Sequence, residues 1–231
     1  MRDCVRRLLN TTLALEVVLV DNGSDDGMPQ AIGRAYAGDA RLTVIYNRAN
    51  LGFGPAMNIG ASKAKGSAVL LLNPDCLVTE ADLRRLLEVV NSNPKVGLVG
   101  AVVCDADGRP DPASWRRDPL LRRAVKTMFG SRGEGVNINE EIPAEVVQAE
   151  AVSGALMLMP RAVFNRVGGF DEDYFLHCED LDLAVRATIG RYSSAAASTV
   201  ACGAGFASTI RLAAIRSCPA SSGSVSGRTT C

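Results

Sequence analysis

The sequence predicts an α/β domain, a mostly parallel sheet flanked by helices on both faces. Three observations predict it. Short apolar runs recur along the first 187 residues, each closed by turn-forming residues. Helical patterns stand between them, the alternation expected of strand–helix–strand units. The runs are continuous rather than alternating in polarity, as in strands covered on both sides. With 231 residues, 47% of them hydrophobic, the chain can bury a sizeable core.

The elements follow in order. Arg2 to Leu9 reads as a helix. EVVLVD, Glu16 to Asp21, is a strand of consecutive aliphatic residues stopped by the turn-forming NGSDDG. LTVIY (Leu42 to Tyr46), AVLLL (Ala68 to Leu72), VGLVGAVV (Val96 to Val103) and ALMLM (Ala155 to Met159) are further strands. Pro55 to Lys65 reads as a helix. Glu80 to Val90 reads as another, with Thr79 as N-cap and Asp82 completing a capping-box pattern. Pro160 to Val167 opens with a first-turn Pro and is closed by Gly168 and Gly169. The polar, Arg-, Pro- and Gly-rich stretch from Asp105 to Glu150 reads as a long connection carrying one helix, Leu120 to Phe129.

Composition narrows the function classes. Lys plus Arg equals Asp plus Glu at 25 each, so the chain lacks the basic excess of a sequence-independent nucleic-acid binder. No run reaches the ~18 consecutive apolar residues of a membrane span. MRDCVRRLLN has no long apolar core and is not read as a secretory signal. Seven irregularly spaced cysteines suggest reduced thiols and, with the rest, a cytoplasmic protein.

The average hides a seam. All 25 acidic residues lie in residues 1–187, whereas Thr188 to Cys231 holds no Asp, Glu or Lys but nine Ser, nine Ala and three Cys. The expected organisation is a domain over 1–187 and an atypical Ser/Ala-rich tail over 188–231. Two readings of the tail stand open: a disordered low-complexity segment, and out-of-frame translation beginning close to Thr188.

Ligands of such sheets bind beyond the carboxyl ends of the strands. Asp21 follows VVLV and precedes Asn22, Gly23 and Ser24. It reads either as an Asx-turn residue or as a carboxylate that accepts hydrogen bonds from a base or ribose. Asn73-Pro74-Asp75 follows VLLL, either as a tight turn or with Asp75 holding a hard divalent cation. In HCEDLDLAVR, His177 to Arg186, Glu179 and Asp180 sit at a helix start. They either complement the helix dipole or form a carboxylate pair of which one member is a general base. Leu181, Leu183, Ala184 and Val185 are expected to pack that helix down. In NRANLGFGPAMNIG, Asn47 to Gly60, Gly52 and Gly54 precede a helix and would let backbone amides approach a phosphate. The Rossmann fingerprint fails, because its third glycine position is Met57. His177, the only histidine, reads as a surface residue. Trp115, Arg116, Arg117, Arg122 and Arg123 read as a solvated helical face, with contact to an anionic acceptor or membrane surface as the alternative.

VVLVDNGSDDG, NLGFGPAMNIG, LLNPD and SGALMLMPRAVFNRVGGFDEDYFLHCEDLDLAVR, in this order, resemble family 2 glycosyltransferases of the GT-A fold. The resemblance is to the bacterial rhamnosyltransferase-like members and covers about residues 3–187. It implies inverting transfer of a sugar from a nucleotide diphosphate sugar to a saccharide or lipid-linked acceptor, and deoxythymidine diphosphate rhamnose is the donor that it supports. Uridine and guanosine donors stay open. By motif position, Asp21, Asn22, Asn50, Gly52, Asn58 and Asn73 would contact the nucleotide, and Asp75 would hold Mg²⁺ or Mn²⁺. Glu179 and Asp180 match the Glu-Asp pair, with Asp180 as general base. Ser153, Gly154, Gly169 and Asp171 would line the acceptor side. The resemblance also implies a cytoplasmic enzyme at the inner membrane surface, with peripheral membrane association and no nucleic-acid partner. Against the family pattern the domain reads as truncated at both ends, its first strand missing and the atypical tail standing in place of the last segment. An open inner edge in the sheet is therefore expected. A catalytically inactive nucleotide- or partner-binding fragment is the alternative function.

Overall fold

The computed structural model describes residues 1–105, 107–111, 114–116, 146–190, 193–202 and 210–215. The expected helix Leu120 to Phe129, with Arg117, Arg122 and Arg123, lies outside the described residues.

Helix α1 (Arg2–Leu9) leads into strand β1 (Leu15–Asp21), helix α2 (Met28–Ala35) and strand β2 (Leu42–Tyr46). Helix α3 (Phe53–Lys63), strands β3 (Ala68–Leu72) and β4 (Cys76–Leu77), helix α4 (Glu80–Ser92) and strand β5 (Val96–Cys104) follow. After the short strands β6 (Trp115–Arg116), β7 (Val147–Ala149) and β8 (Ala151–Val152) come β9 (Leu156–Pro160) and helices α5 (Arg161–Val167) and α6 (Glu179–Ile189). Strands β10 (Ser193–Cys202) and β11 (Ile210–Ile215) end the described chain. The apolar runs read as strands are all strands, with bounds shifted by a residue or two. Helix α2 and the short strands escaped the sequence reading, because two- and three-residue strands carry no periodicity.

Among the described residues nine strands form one sheet in the order β2-β1-β11-β3-β9-β5-β10-β4, with β7 also paired to β10. Strands β2, β1, β3, β5 and β10 run one way. Antiparallel strands are interleaved, so the parallel pairs are only β1–β2 and β5–β10. Where an open inner edge was expected, β11 pairs antiparallel with both β1 and β3. The tail thus contributes two strands to the central sheet.

Period-2 burial puts a core on each face. Val17, Leu19, Leu70 and Leu72 point to a layer built from α1, α2 and α4, with Leu8, Ile32, Leu83 and Leu86 among its buried residues. Their neighbours Val18, Val20, Val69 and Leu71 point to a layer built from α3, α5 and α6. Every residue of β3 is buried, and each such leucine contributes roughly 1.5–3 kcal/mol of transfer free energy. Glu16 is the polar interruption of β1, and its carboxylate accepts the Lys65 and Gly66 N–H groups that follow α3. At Gly100 in β5, a Cβ would sit 2.5 Å from the Val152 side chain, so only glycine lets β8 cross there.

Helix α4 carries the predicted capping box: Asp82 N–H donates to Thr79 Oγ1 at 3.2 Å, and Thr79 N–H to Asp82 Oδ2 at 2.8 Å. Its first residue, Glu80, reaches back to the loop after α1. The Glu80 carboxylate accepts the Thr12 hydroxyl at 2.6 Å, the Thr12 N–H at 2.8 Å and Arg84 Nε at 2.9 Å. The Thr12 hydroxyl, then its N–H, then Arg84 lower the Glu80 pKa from 4.5 to about 2.

A carboxyl depressed in the folded state stabilises above its unfolded pKa, and this is lost as pH falls through the folded one. Acidification from pH 4.5 to about 2 should therefore remove the Glu80 contribution. In thermal melts across that window, Glu80→Gln should melt below wild type at neutral pH, with the gap closing on acidification. A constant gap would show that the contact does not depend on the charge.

Candidate functional site

The candidate residues converge at the carboxyl ends of β1 and β3 and at the start of α6. Asp21 ends β1 and is only 2% exposed. Its Oδ1 accepts the Ser24 N–H at 2.9 Å, the Asx-turn bond, and Gln30 Nε2 stands 3.5 Å from Oδ2. Asn22 is a hub. Its Nδ2 donates to Asn50 Oδ1 (2.8 Å) and Gly52 O (3.0 Å), and its Oδ1 accepts from Asn47 Nδ2 and Leu51 N–H, each at 3.1 Å. Asn22 and Asn50 thereby shape the loop over residues 47–52 from within.

That loop delivers Gly52 to a close contact. Gly52 has φ +96°, and a Cβ there would lie 2.7 Å from the carbonyl oxygen of Phe175. The next residue, Phe53, donates its N–H to that same oxygen at 3.0 Å. Two positions on, a Cβ at Gly54 would be 3.1 Å from Phe170 Cβ and 3.2 Å from Asp171 O. Phe53 and Phe170 stack edge to face at 5.5 Å. The start of α3 and the segment before α6 are thus one packed unit.

Beyond β3, Asn73 N–H donates to Ala155 O at 2.8 Å, tying this strand end to the turn that starts β9. Asp75 is half-buried. Its Oδ1 is buried without a hydrogen-bond partner among the described residues. An orphaned hard oxygen of this kind fits a divalent cation that keeps waters and completes its shell with diphosphate oxygens. No group of three or more His, Cys, Asp or Glu residues that could hold a metal occurs among the described residues. The donor set therefore does not fit an all-protein cage. On the turn itself, Ser153 Oγ accepts the Ala155 N–H at 3.2 Å, and Ser153 N–H donates to Ser114 O at 2.9 Å.

Gly154 then presents its N–H to Asp180 Oδ2 at 2.9 Å, while Leu181 N–H donates to Oδ1 at 2.8 Å. A Cβ at 154 would stand 3.3 Å from Asp180 Cβ and 3.5 Å from Phe53 Cζ, so a larger residue would crowd the carboxylate. Glu179 and Asp180 are each 6% exposed in the first turn of α6, where the N-terminal partial charge favours carboxylates. Leu181, Leu183 and Ala184 pack that helix down as expected, and Val185 is half-buried. His177 (φ +73°) and Cys178 (φ +67°) are both left-handed and turn the chain sharply into the pair, a conformation costing about 1–3 kcal/mol per residue. His177 is exposed, the surface position expected of it.

Two predicted positions sit differently from the rest. Asn58 turns its amide to residues 170–172: its Oδ1 accepts the Phe170 N–H, and its Nδ2 donates to Phe170 O and Glu172 Oε1, all at 2.9 Å. Asp171 is exposed, with Oδ1 accepting the Asp173 N–H at 3.0 Å. Arg186 was missed as a site residue. Its Nε donates to Asp182 at 2.7 Å and its Nη1 to Val167 O (2.6 Å) and Gly169 O (2.8 Å). The i,i+4 spacing of Asp182 and Arg186 was the available signal. A groove of about 550 Å³ runs past Asn58, Ser62, Arg161, Asn165, Gly169 and Glu172. None of the candidate carboxylates Asp21, Asp75, Glu179 and Asp180 lines it.

The sheet, with carboxylates at two strand ends and a buried acidic pair opening a helix, has the GT-A fold of solved glycosyltransferases. Solved structures share this fold. A mannosyltransferase from Pyrobaculum calidifontis, solved with GDP-Man and Mn²⁺, superposes with a TM-score of 0.61 at 21% identity, over 88% of this chain and 52% of that one. GalNAc-T7, solved with UDP, GalNAc and Mn²⁺, gives 0.63 at 17% identity, over 88% and 41%. The sequence pattern described as Glycosyl transferase family 2 matches residues 1–143, and the chain belongs to that family. It is 31% identical over 194 residues to an N-acetylglucosaminyl-diphospho-decaprenol L-rhamnosyltransferase of Mycobacterium tuberculosis, covering 77% of this chain and 62% of that protein. It is 27% identical over 202 residues to the rhamnosyltransferase WbbL of Escherichia coli, covering 81% and 73%. The chain thus spans about three fifths of the mycobacterial relative's length.

Gly52→Ala would place a methyl group against the Phe175 carbonyl at a backbone angle that alanine rarely adopts. It should destabilise the fold by at least about 1–3 kcal/mol in denaturant unfolding. A neutral result would mean that the two segments do not meet as closely as described.

Proposed function

We propose that the chain transfers a sugar, with inversion, from a nucleotide diphosphate sugar to an acceptor hydroxyl. The names of its relatives favour rhamnose as the sugar, and the mycobacterial name favours a lipid-linked saccharide as the acceptor; the inner membrane surface is where such an acceptor would be met. The observation that carries the reading is the buried Asp180 carboxylate, oriented by two backbone N–H groups at the mouth of the strand ends. The two N–H groups fix the direction in which the carboxylate presents its oxygens.

Asp180 takes the proton of the acceptor hydroxyl as that oxygen attacks the anomeric carbon. The new glycosidic C–O bond forms as the bond from the sugar to the diphosphate breaks, and the nucleotide diphosphate leaves with its bonding electrons. Asp75 is the residue that would hold Mg²⁺ or Mn²⁺, which when bound supplies positive charge to the leaving diphosphate. Asp21, Asn22 and Asn50 shape the nucleotide end of the site, and Gly52 sets how near the backbone comes. Ser153, Gly154, Gly169 and Asp171 border the acceptor end. Leu51 before α3 and Phe175 and Leu176 before α6, 44–58% exposed, offer apolar surface that suits the lipid part of such an acceptor. No helix among the described residues is long and apolar enough to cross a membrane.

The test is a thermal melt of the purified chain with nucleotide diphosphates, with and without Mn²⁺. Ligand at 100 times its Kd should add about 2.7 kcal/mol of stability. Asp75→Ala should abolish the Mn²⁺-dependent part of the shift. No shift with any nucleotide diphosphate would remove the donor site.

Asp180→Asn, which keeps the shape but cannot take the proton, should lower kcat by about 10²–10⁴-fold while the nucleotide-induced shift persists. Nucleotide binding without sugar transfer by wild type would favour the inactive-fragment reading instead.

A further inference from the structure

Residues 167–172 are held from two helices at once. From α6, Arg186 Nη1 donates to the carbonyls of Val167 and Gly169 at 2.6 and 2.8 Å. From α3, Asn58 accepts the Phe170 N–H and donates to Phe170 O and Glu172 Oε1, each at 2.9 Å. An asparagine suits this place. Its amide offers an acceptor and two donors, so it pairs with both backbone groups of one residue and still reaches a carboxylate. The fit leaves no slack. A Cβ at Gly169 would stand 2.5 Å from Asn58 Oδ1. Gly54, one turn before Asn58 and so on the same helical face, lets Phe170 and Asp171 approach α3.

These contacts separate Asn58 from the nucleotide loop. The Asn22 hub binds Asn47, Asn50, Leu51 and Gly52. Among the described residues the side-chain hydrogen bonds of Asn58 go instead to residues 170–172. That segment is continuous with residues 173–178, which lead directly into Glu179 and Asp180, and Arg186 anchors its start to the same helix.

We propose that Asn58 is a positioning residue for the acceptor side, holding residues 169–172 in register with Asp180 and so governing acceptor use rather than nucleotide affinity. The inference rests on the transferase reading above.

The test compares wild type with Asn58→Ala and Asn58→Asp by three measurements. These are amide hydrogen exchange, nucleotide diphosphate affinity in Mn²⁺, and steady-state kinetics with the acceptor varied. In both variants exchange should rise about tenfold or more across residues 168–175 and at Phe53, whose N–H donates to Phe175 O, and stay unchanged across 47–51, the signature of local opening. Nucleotide Kd should stay within about twofold of wild type, while kcat/KM for the acceptor falls about tenfold or more. Asn58→Asp should resemble Asn58→Ala, because a carboxylate cannot donate to Phe170 O and repels Glu172. The proposal is overturned if nucleotide affinity falls with acceptor kinetics unchanged, or if exchange rises throughout the chain and all parameters decline together. If wild type itself transfers no sugar, the transferase reading has failed. Exchange confined to 168–175 then still supports the clamp, and unchanged exchange there overturns it.

Discussion

The site depends on one close approach, between the first turns of α3 and the segment that precedes α6. Phe53 N–H meets Phe175 O, and Gly52 and Gly54 leave no side chain between the two stretches. Because the first stretch is also the end of the Asn22-braced loop, and the second runs directly into Asp180, this contact fixes the proposed nucleotide end against the proposed acceptor end. A side chain at either glycine would wedge them apart. The edge-to-face pair Phe53–Phe170 fills the space beside them and adds apolar burial to the backbone contact.

The sheet makes that approach possible. Its two-sided core places α1, α2 and α4 on one face and α3, α5 and α6 on the other. The three helices that carry or brace the site therefore share one layer, and α3 and α6 can grip the same loop. On the opposite layer, α4 and the Glu80 contact to Thr12 secure the connection that feeds β1. Between β1 and β3 the position is taken by β11, whose backbone pairs with both. A sheet whose inner strands are buried on both faces leaves no such position to water, since unpaired backbone groups there would lose their hydrogen bonds.

The carboxylates fall into two physical roles. Asp21, bonded to the Ser24 N–H, organises a turn, and Asp180 is held by the N–H groups of Gly154 and Leu181. Asp75 differs. One of its oxygens is buried with no hydrogen bond from the described residues, and a hard cation or its water is the natural partner for such an atom. The left-handed residues His177 and Cys178 show where backbone strain is accepted so that an acidic pair can open a helix.

Strand runs, the capping box at Thr79 and Asp82, the Gly168 helix end and the acidic pair were legible in the sequence, because each is set by neighbours within a few residues. Periodicity, capping and turn chemistry are local. The motif blocks likewise identified the family, and with it the candidate Asp21, Asp75, Glu179 and Asp180. The roles of Asn22, Asn58 and Arg186 were not legible, since their partners lie up to 114 residues away and only packing brings them together. Nor could composition foresee that part of the Ser/Ala-rich tail would pair as strands, because pairing depends on the sheet positions that the rest of the chain leaves to fill. By itself the sequence determined the main strands and most helices of the first 187 residues, the family and the candidate carboxylates. Only the tertiary structure decided which polar side chains brace the scaffold around those carboxylates, because a hydrogen bond is assigned by distance in space.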